Sequence, residues 1–163
     1  PSRNGYSLRR NILQEMGARL KLYGYVYDGY AAHINTLQSY YDRSMELLST
    51  AVRQALFCPQ RPVYGKENDS PSGYIDPDGG CVNSLIADGC DIRGSVKNCI
   101  LFRNVRIERG ASVENCILFK DTVVKKGASL HSVITDKYVT VSENVILTGH
   151  ERYPMVVAKG VTV

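Results

Sequence analysis

Val96 to Ser112 reads VKNCILFRNVRIERGAS, and the next seventeen residues, Val113 to Ser129, read VENCILFKDTVVKKGAS. Nine of the seventeen positions are identical. A near-copy written back to back marks a unit that stacks on itself, so the columns of the alignment carry the fold. Val96, Val113, Leu130 and Leu147 form one apolar column, and Ile100, Ile117 and Ile134 form another. Ile107, Val124 and Val141 form a third, which a step of seventeen extends upward to Cys90. Gly94, Ala111, Ala128 and Val145 make a column of mostly small residues beside the first. After a loop, TGHERYP, the closing stretch Val157 to Val163 reads as one more copy.

Three apolar columns per repeat give three inward-facing sides of about six residues, one of them a residue short. A helical solenoid needs about 33 residues or more per repeat, room for two helices. The spacing therefore predicts a mainly β fold, a left-handed parallel β-helix of the hexapeptide type with four to five coils. One coil cannot bury its own apolar side, and stacking supplies the core. At a strand spacing of ~4.8 Å the prism stands only ~20 Å tall. Cys99 and Cys116 share a column with Val133, which suits a buried, apolar role for the thiols. Asn98, Asn115 and Ser132 suit a polar stack at a turn. Leu101, Phe102, Leu118 and Phe119 form a local apolar patch; with Ile100 and Ile117 read as inward-facing, part of this patch is expected to face outward, covered by a second subunit or by residues 1–57.

Residues 1–57 follow a different rule. Leu8, Ile12, Leu13 and Met16 sit at helical spacing, RLKLYGYVYDGY alternates as a strand does, and NTLQSYYDRSMELLSTAVRQALF carries a long helical pattern. Asn35 or Thr36 is the natural N-cap of that helix. Fewer than sixty residues in a helix–strand–helix order make a poor independent core, and the segment is expected to be the tail of a larger α/β domain. Residues 58–80, rich in Pro, Gly, Asp and Ser, read as a linker, and 81–163 as the β-helix domain. The chain opens at Pro1 without Met, which suggests part of something longer.

Composition excludes several classes. A net charge of +4 with no Lys/Arg block argues against nucleic acid. No apolar run approaches the ~18 residues of a membrane span, and no signal peptide is evident. Five cysteines, an odd number, fit a reduced cytoplasmic setting better than a disulfide framework.

The order of parts resembles the C-terminal part of the ADP-glucose pyrophosphorylase (glucose-1-phosphate adenylyltransferase) family. NSLIADGC, LFRNVRI and VITDKYVTV are similar to that family's NSLVxxGC, LFSRVRV and VIDxxxxI stretches. ERYPMVVAKGVTV and YAAHINTLQSYYDRSMELL look most like the non-catalytic GlgD-type subunit. The resemblance covers nearly the whole chain. It implies a nucleotidyltransferase tail in 1–57 and a place in glycogen biosynthesis, where the family joins ATP and glucose 1-phosphate into ADP-glucose and pyrophosphate. Catalytic members carry W-R/K-D-V-G-T before the long helix, with an Asp that helps to hold Mg²⁺. Here the place reads Ala31, Ala32, His33, Ile34, Asn35, Thr36, so His33 replaces that carboxylate. Mg²⁺ takes hard oxygen ligands, and the family's phosphate-cradling G-G-x-G-T-R-L loop has no counterpart in this sequence. The resemblance thus implies a regulatory or assembly segment with no catalytic residues, metal or cofactor of its own.

Arg103, Lys120 and Lys137 share a seventeen-residue column and are expected to stack as an anion ladder. Arg106 matches the second arginine of LFSRVRV, which contacts effector phosphates in the family, whereas Asn104 replaces the first. These four are the candidate effector-binding residues, for a sugar phosphate or nucleotide. The expected partner is a catalytic paralogous subunit or a second copy. Two other readings stand beside this one. A hexapeptide-repeat acyltransferase would need a base such as His131, which shares a column with Lys97 and Glu114 that reads as outward. A pure oligomerisation scaffold would need no ligand at all.

Overall fold

The computed structural model describes residues 7–65 and 69–163. From Tyr74 onward the chain winds through fifteen short strands, β1 (Tyr74–Ile75) to β15 (Met155–Val157). They fall into three parallel five-stranded sheets, each built from every third strand, so the fold is a three-sided parallel solenoid of five coils. Sheet A holds β1, β4 (Asp91–Ile92), β7 (Arg106–Ile107), β10 (Val123–Val124) and β13 (Thr140–Val141). Sheet B holds β2 (Gly80–Val82), β5 (Ser95–Lys97), β8 (Ser112–Glu114), β11 (Ser129–His131) and β14 (Ile146–Thr148). Sheet C holds β3 (Leu85–Ile86), β6 (Ile100–Leu101), β9 (Ile117–Leu118), β12 (Val133–Thr135) and β15. β1 thus falls within the 58–80 stretch that reads as a linker, because Tyr74 and Ile75 pair in register with Asp91 and Ile92.

Each column of the repeat becomes a rung-to-rung register. Val96, Val113, Leu130 and Leu147 stack as expected, with Cys81 above them. The third column needs a correction: Ile92, not Cys90, stands over Ile107. The second coil is shorter at the corner between sheets A and B, so Ile92 to Ile107 spans 15 residues where Ile107 to Val124 spans 17. Gly94 permits that shortcut. A Cβ there would lie 2.5 Å from the Ala111 carbonyl oxygen and 2.7 Å from that of Glu108.

Corners follow a rule that the residue types explain. Asn83, Asn98, Asn115 and Ser132 all adopt left-handed backbone, with φ between 44° and 54°, a conformation that Asn tolerates better than most residues. Their amides form a chain: Asn83 Nδ2 donates to Asn98 Oδ1 (2.8 Å) and Asn98 Nδ2 to Asn115 Oδ1 (3.2 Å). Cys99, Cys116 and Val133, one residue on, are fully buried. Burial pushes the Cys116 thiol well above its ordinary pKa.

The expected inward side of sheet C is reversed. Leu101, Leu118 and Thr135 point into the core, and Ile100, Ile117 and Ile134 point outward. The outward isoleucines are nevertheless covered, because helix α1 (Leu37–Glu46) lies over them with Tyr40, Tyr41 and Met45. The Tyr41 hydroxyl donates to the Asn115 carbonyl (2.7 Å), and Gln38 Nε2 donates to the Glu151 carbonyl (2.7 Å) in the loop before β15. Residues of the same chain therefore fill the role that a second subunit could have had.

Thr36 caps α1 as expected, in a capping box with Ser39. The long helical pattern splits at Leu47–Ser49 into α1 and α2 (Thr50–Leu56); Arg53 Nη1 donates to the Leu47 and Leu48 carbonyls at the break. Upstream, Leu8–Gln14 forms a short π-type helix and Gly17–Arg19 a 3-10 turn. The strand expected near Leu20–Tyr27 is absent from the described residues, and Tyr23, Tyr25 and Val26 are exposed. A strand forms only against a paired neighbour, and every sheet here belongs to the solenoid.

Candidate functional site

The candidate site lies on the corner between sheet C and the next strand of sheet A. A cavity of about 440 Å³ opens there, lined by Phe102, Arg103, Asn104, Phe119, Lys120 and Lys137, with Asp69 and Ser70 on its rim. The geometry that assembles it is repetitive. The amides of Asp121, Tyr138 and Gly160 donate to the carbonyls of Arg103, Lys120 and Lys137, so those three side chains emerge from consecutive coils. Asn104 Nδ2 donates to Asp121 Oδ1 (3.0 Å) and fixes the adjoining column.

This column is longer than the sequence spacing suggested. Ile134 pairs with Val156 across 22 residues instead of 17, which sets Lys159 below Lys137. The signal was available: KYVTV from Lys137 recurs as KGVTV from Lys159, displaced by the inserted loop that Gly149 opens. Four cations thus follow one another at ~4.8 Å per coil. Tyr138 relieves part of their mutual repulsion, with Lys120 Nζ 5.0 Å and Lys159 Nζ 5.8 Å from its ring centre. The hydrogen bond with Tyr138 raises the Lys120 ammonium pKa, which keeps it charged. Arg103 has its Nε buried without a hydrogen-bond partner among the described residues.

The floor beside the cations is aromatic. The Phe102 and Phe119 rings stack at 4.6 Å, 6° from parallel, and Tyr40 of α1 lies 6.4 Å from Phe119.

Arg106 does not join this group. It lies exposed on β7, on the outer face of sheet A, in a smaller depression with Arg93, Arg109 and Lys126. Arg93 is held there by Asp91 (2.9 Å) and Arg109 by Asp76 (2.9 Å). Three of the four candidate effector residues come together, and the fourth sits on another side of the prism.

His131 sits in the outward column, level with Glu114 and Lys97. Lys97 pairs with Glu114 (2.8 Å), and the His131 ring contacts Ser132 Oγ (3.2 Å) and Asn115 Nδ2 (3.4 Å). His33 lies exposed in the irregular segment before α1. Among the described residues, no three His, Cys, Asp or Glu side chains gather into a group that could hold a metal ion. No helix among the described residues is long and apolar enough to cross a membrane.

Known proteins are similar to this chain in sequence. Glycogen biosynthesis protein GlgD of Bacillus subtilis is 42% identical over 159 residues, which is 98% of this chain and 46% of that protein. A glucose-1-phosphate adenylyltransferase of Acetivibrio thermocellus is 36% identical over 90 residues, 55% of this chain and 21% of that enzyme. GlgD of Geobacillus stearothermophilus is 46% identical over 68 residues, 42% of this chain and 20% of that protein. The chain therefore spans less than half the length of these relatives. Residues 73–163 match the model of the GlmU-like C-terminal hexapeptide family, the same stretch that winds into the solenoid, and the chain belongs to that family.

Proposed function

We propose that this chain is a regulatory and assembly segment of a subunit in the glucose-1-phosphate adenylyltransferase family, serving cytoplasmic glycogen biosynthesis without turnover of its own. The observation that carries the reading is the cation column Arg103, Lys120, Lys137 and Lys159 beside a cavity, on a chain 42% identical to a GlgD protein. Guanidinium and ammonium groups spaced along a wall suit phosphate oxygens, so an anionic effector such as a sugar bisphosphate or nucleotide is the ligand. The coils wind left-handed, as hexapeptide solenoids of this kind do, and residues 1–57 are the tail of the nucleotidyltransferase domain. Mg²⁺, which the family uses, does not fit the residues around His33: an exposed imidazole is no substitute for a hard carboxylate, and among the described residues no group of three His, Cys, Asp or Glu side chains gathers there. The partner is a catalytic paralogous subunit or a second copy.

Thermal unfolding followed during titration with a sugar bisphosphate tests the effector role. A rise in melting temperature that disappears in Lys120→Ala/Lys137→Ala is expected, whereas an unchanged melting temperature would overturn it. Production of ADP-glucose from ATP and glucose 1-phosphate by the purified chain, above a blank, would overturn the non-catalytic part.

A further inference from the structure

We infer that the side-chain amides of Asn83, Asn98 and Asn115 form a relay whose direction is set by the protonation of His131. A proton gained on the fourth coil then reverses the polar group presented on the first. The inference does not depend on the effector reading and concerns another corner of the prism, the one between sheets B and C.

A carboxamide accepts at its oxygen and donates at its nitrogen, so a row of them in register has a direction. Here every link runs the same way. Asn83 Nδ2 donates to Asn98 Oδ1 (2.8 Å), Asn98 Nδ2 donates to Asn115 Oδ1 (3.2 Å), and Asn115 Nδ2 meets His131 Nε2 at 3.4 Å. The last link decides the tautomer. Nε2 has to be bare to accept, which leaves the ring proton on Nδ1, where Ser132 Oγ lies 3.2 Å away and can take it. Neutral His131 is therefore a matched terminus. Imidazolium is not, because both of its ring nitrogens donate. Its Nε2–H would face the Asn115 NH2 group, donor against donor. Turning the Asn115 amide over restores an acceptor there, but points its Nδ2 at that of Asn98, which has to turn in its place, and then Asn83. None reverses alone, since a donor left unmet costs more than a typical bond contributes. The backbone need not move. The Asn98, Asn115 and Ser132 amides stay bonded to the Val82, Lys97 and Glu114 carbonyls (3.0–3.1 Å) while only side chains rotate.

The surrounding charges accommodate a proton. One coil above His131 stands Glu114, which Lys97 holds in an ion pair of 2.8 Å. The hydrogen bond from Lys97 chiefly, with the charge of His131 in addition, keeps Glu114 below the ordinary carboxylate range. Thr148 lies on the coil below, and the Gly149 amide donates to the His131 carbonyl (2.8 Å), which brings His150 and Glu151 alongside. From α1, Tyr41 donates to the Asn115 carbonyl, while Asp42 and Glu46 line a depression with Asn115 and Glu151. Arg43 pairs with Glu46. Among the described residues Asp42 and Glu151 have no ion pair, so the uncompensated charge on this side is negative. At the far end Asn83 lines a cavity of about 270 Å³ with Thr50, Arg53, Cys81 and Ser84. Before reversal the ladder ends there in an oxygen, which suits the Arg53 guanidinium. After it the ladder ends in an NH2 group, which can only donate. The signal crosses three coil steps, ~14 Å.

NMR of the whole chain, labelled with nitrogen-15 and titrated from about pH 8 to about pH 5, where imidazoles ordinarily change charge, reads each side-chain amide beside the His131 ring. The NH2 signals of Asn115, Asn98 and Asn83 should all shift with the His131 midpoint. His131→Phe should abolish all three titrations. Asn98→Gly removes the middle amide and suits the left-handed backbone there, where φ is 51°. In that variant Asn115 should still follow His131, and the Asn83 shift should be lost. An Asn83 amide that ignores the His131 midpoint in the parent chain would overturn the relay. So would one that still shifts in Asn98→Gly, because a bare charge acts through space without the middle amide. The parent titration decides the matter alone should either variant fail to fold.

Discussion

Sheets A and C of the same solenoid treat their outer faces in opposite ways. On sheet A the outward positions are Asp91, Arg106, Val123 and Thr140, exposed or half-buried, while their neighbours Ile92, Ile107, Val124 and Val141 are buried. On sheet C both faces are covered: Leu101 and Leu118 fill the core, and Ile117 and Ile134 are sealed beneath α1. One backbone geometry thus yields a sheet buried on one face and a sheet whose third and fourth strands are buried on both, and the difference lies in what the outward column offers. A column of isoleucines recruits a helix, whereas a column of Asp, Arg, Val and Thr stays at least partly in water. The hydrophobic effect, being proportional to apolar area removed from water, makes that choice.

The contrast breaks most visibly by truncation. Ile117→Ala should cost about 2–5 kcal/mol in denaturant unfolding, as for any fully enclosed large aliphatic residue, although Ile117 points away from the solenoid core. Val123→Ala, the outward neighbour on sheet A, should cost below about 1 kcal/mol. Equal costs at the two positions would mean that α1 does not seal sheet C in solution.

A gentler change sharpens the same point. Tyr41→Phe keeps the ring over the isoleucines and removes only the hydrogen bond to the Asn115 carbonyl. A loss of about 0.5–1.5 kcal/mol is expected, together with faster amide exchange in Leu37–Glu46 and little change in the coils. Uniformly faster exchange across the coils would show that helix and solenoid open as one unit.

The smallest effect concerns the polar faces. Asp76 is held below the ordinary carboxylate range chiefly by the hydrogen bond from Arg109, and Glu114 by the one from Lys97. A carboxyl depressed in the folded state stabilises the fold above its unfolded-state pKa, and the contribution disappears as pH falls through the folded value. Arg109→Gln should therefore lower stability slightly at neutral pH and converge with the parent in acid, flattening the acid limb. A constant offset at every pH would assign Arg109 a packing role instead.

Register was legible in the sequence wherever the seventeen-residue step holds, because identical residues at Asn98/Asn115 and Cys99/Cys116 pin the alignment. It fails at Cys90, where two residues are missing from a corner, while the five residues inserted before Lys159 leave Val157–Val163 recognisable as one more copy. Periodicity counts residues, but corners absorb the differences in length. The orientation of sheet C was not legible for a separate reason. IL in both repeats places an apolar residue on each face, so alternation gives no sign of which faces inward; only the helix that covers one of them decides it. The tyrosine-rich stretch Tyr23–Tyr27 has the alternation of a strand without a partner edge among the described residues. Arg106 joins the candidates only through its match to the second arginine of LFSRVRV, and the three residues that separate it from Arg103 suffice to turn a corner of the prism.

The docking of α1 also sets an order of events in time. Coil-to-coil pairs join residues 15 to 22 positions apart, whereas the Tyr41–Asn115 and Gln38–Glu151 bonds close separations of 74 and 113 residues. Closing longer loops is slower and entropically costlier. A ribosome delivers α1 before any coil it covers, so the nascent helix waits with Tyr40, Tyr41 and Met45 unsheltered until β9 and β12 have been made. The solenoid can lengthen turn by turn during that interval, and the last act of folding is the closing of the helix onto a finished wall.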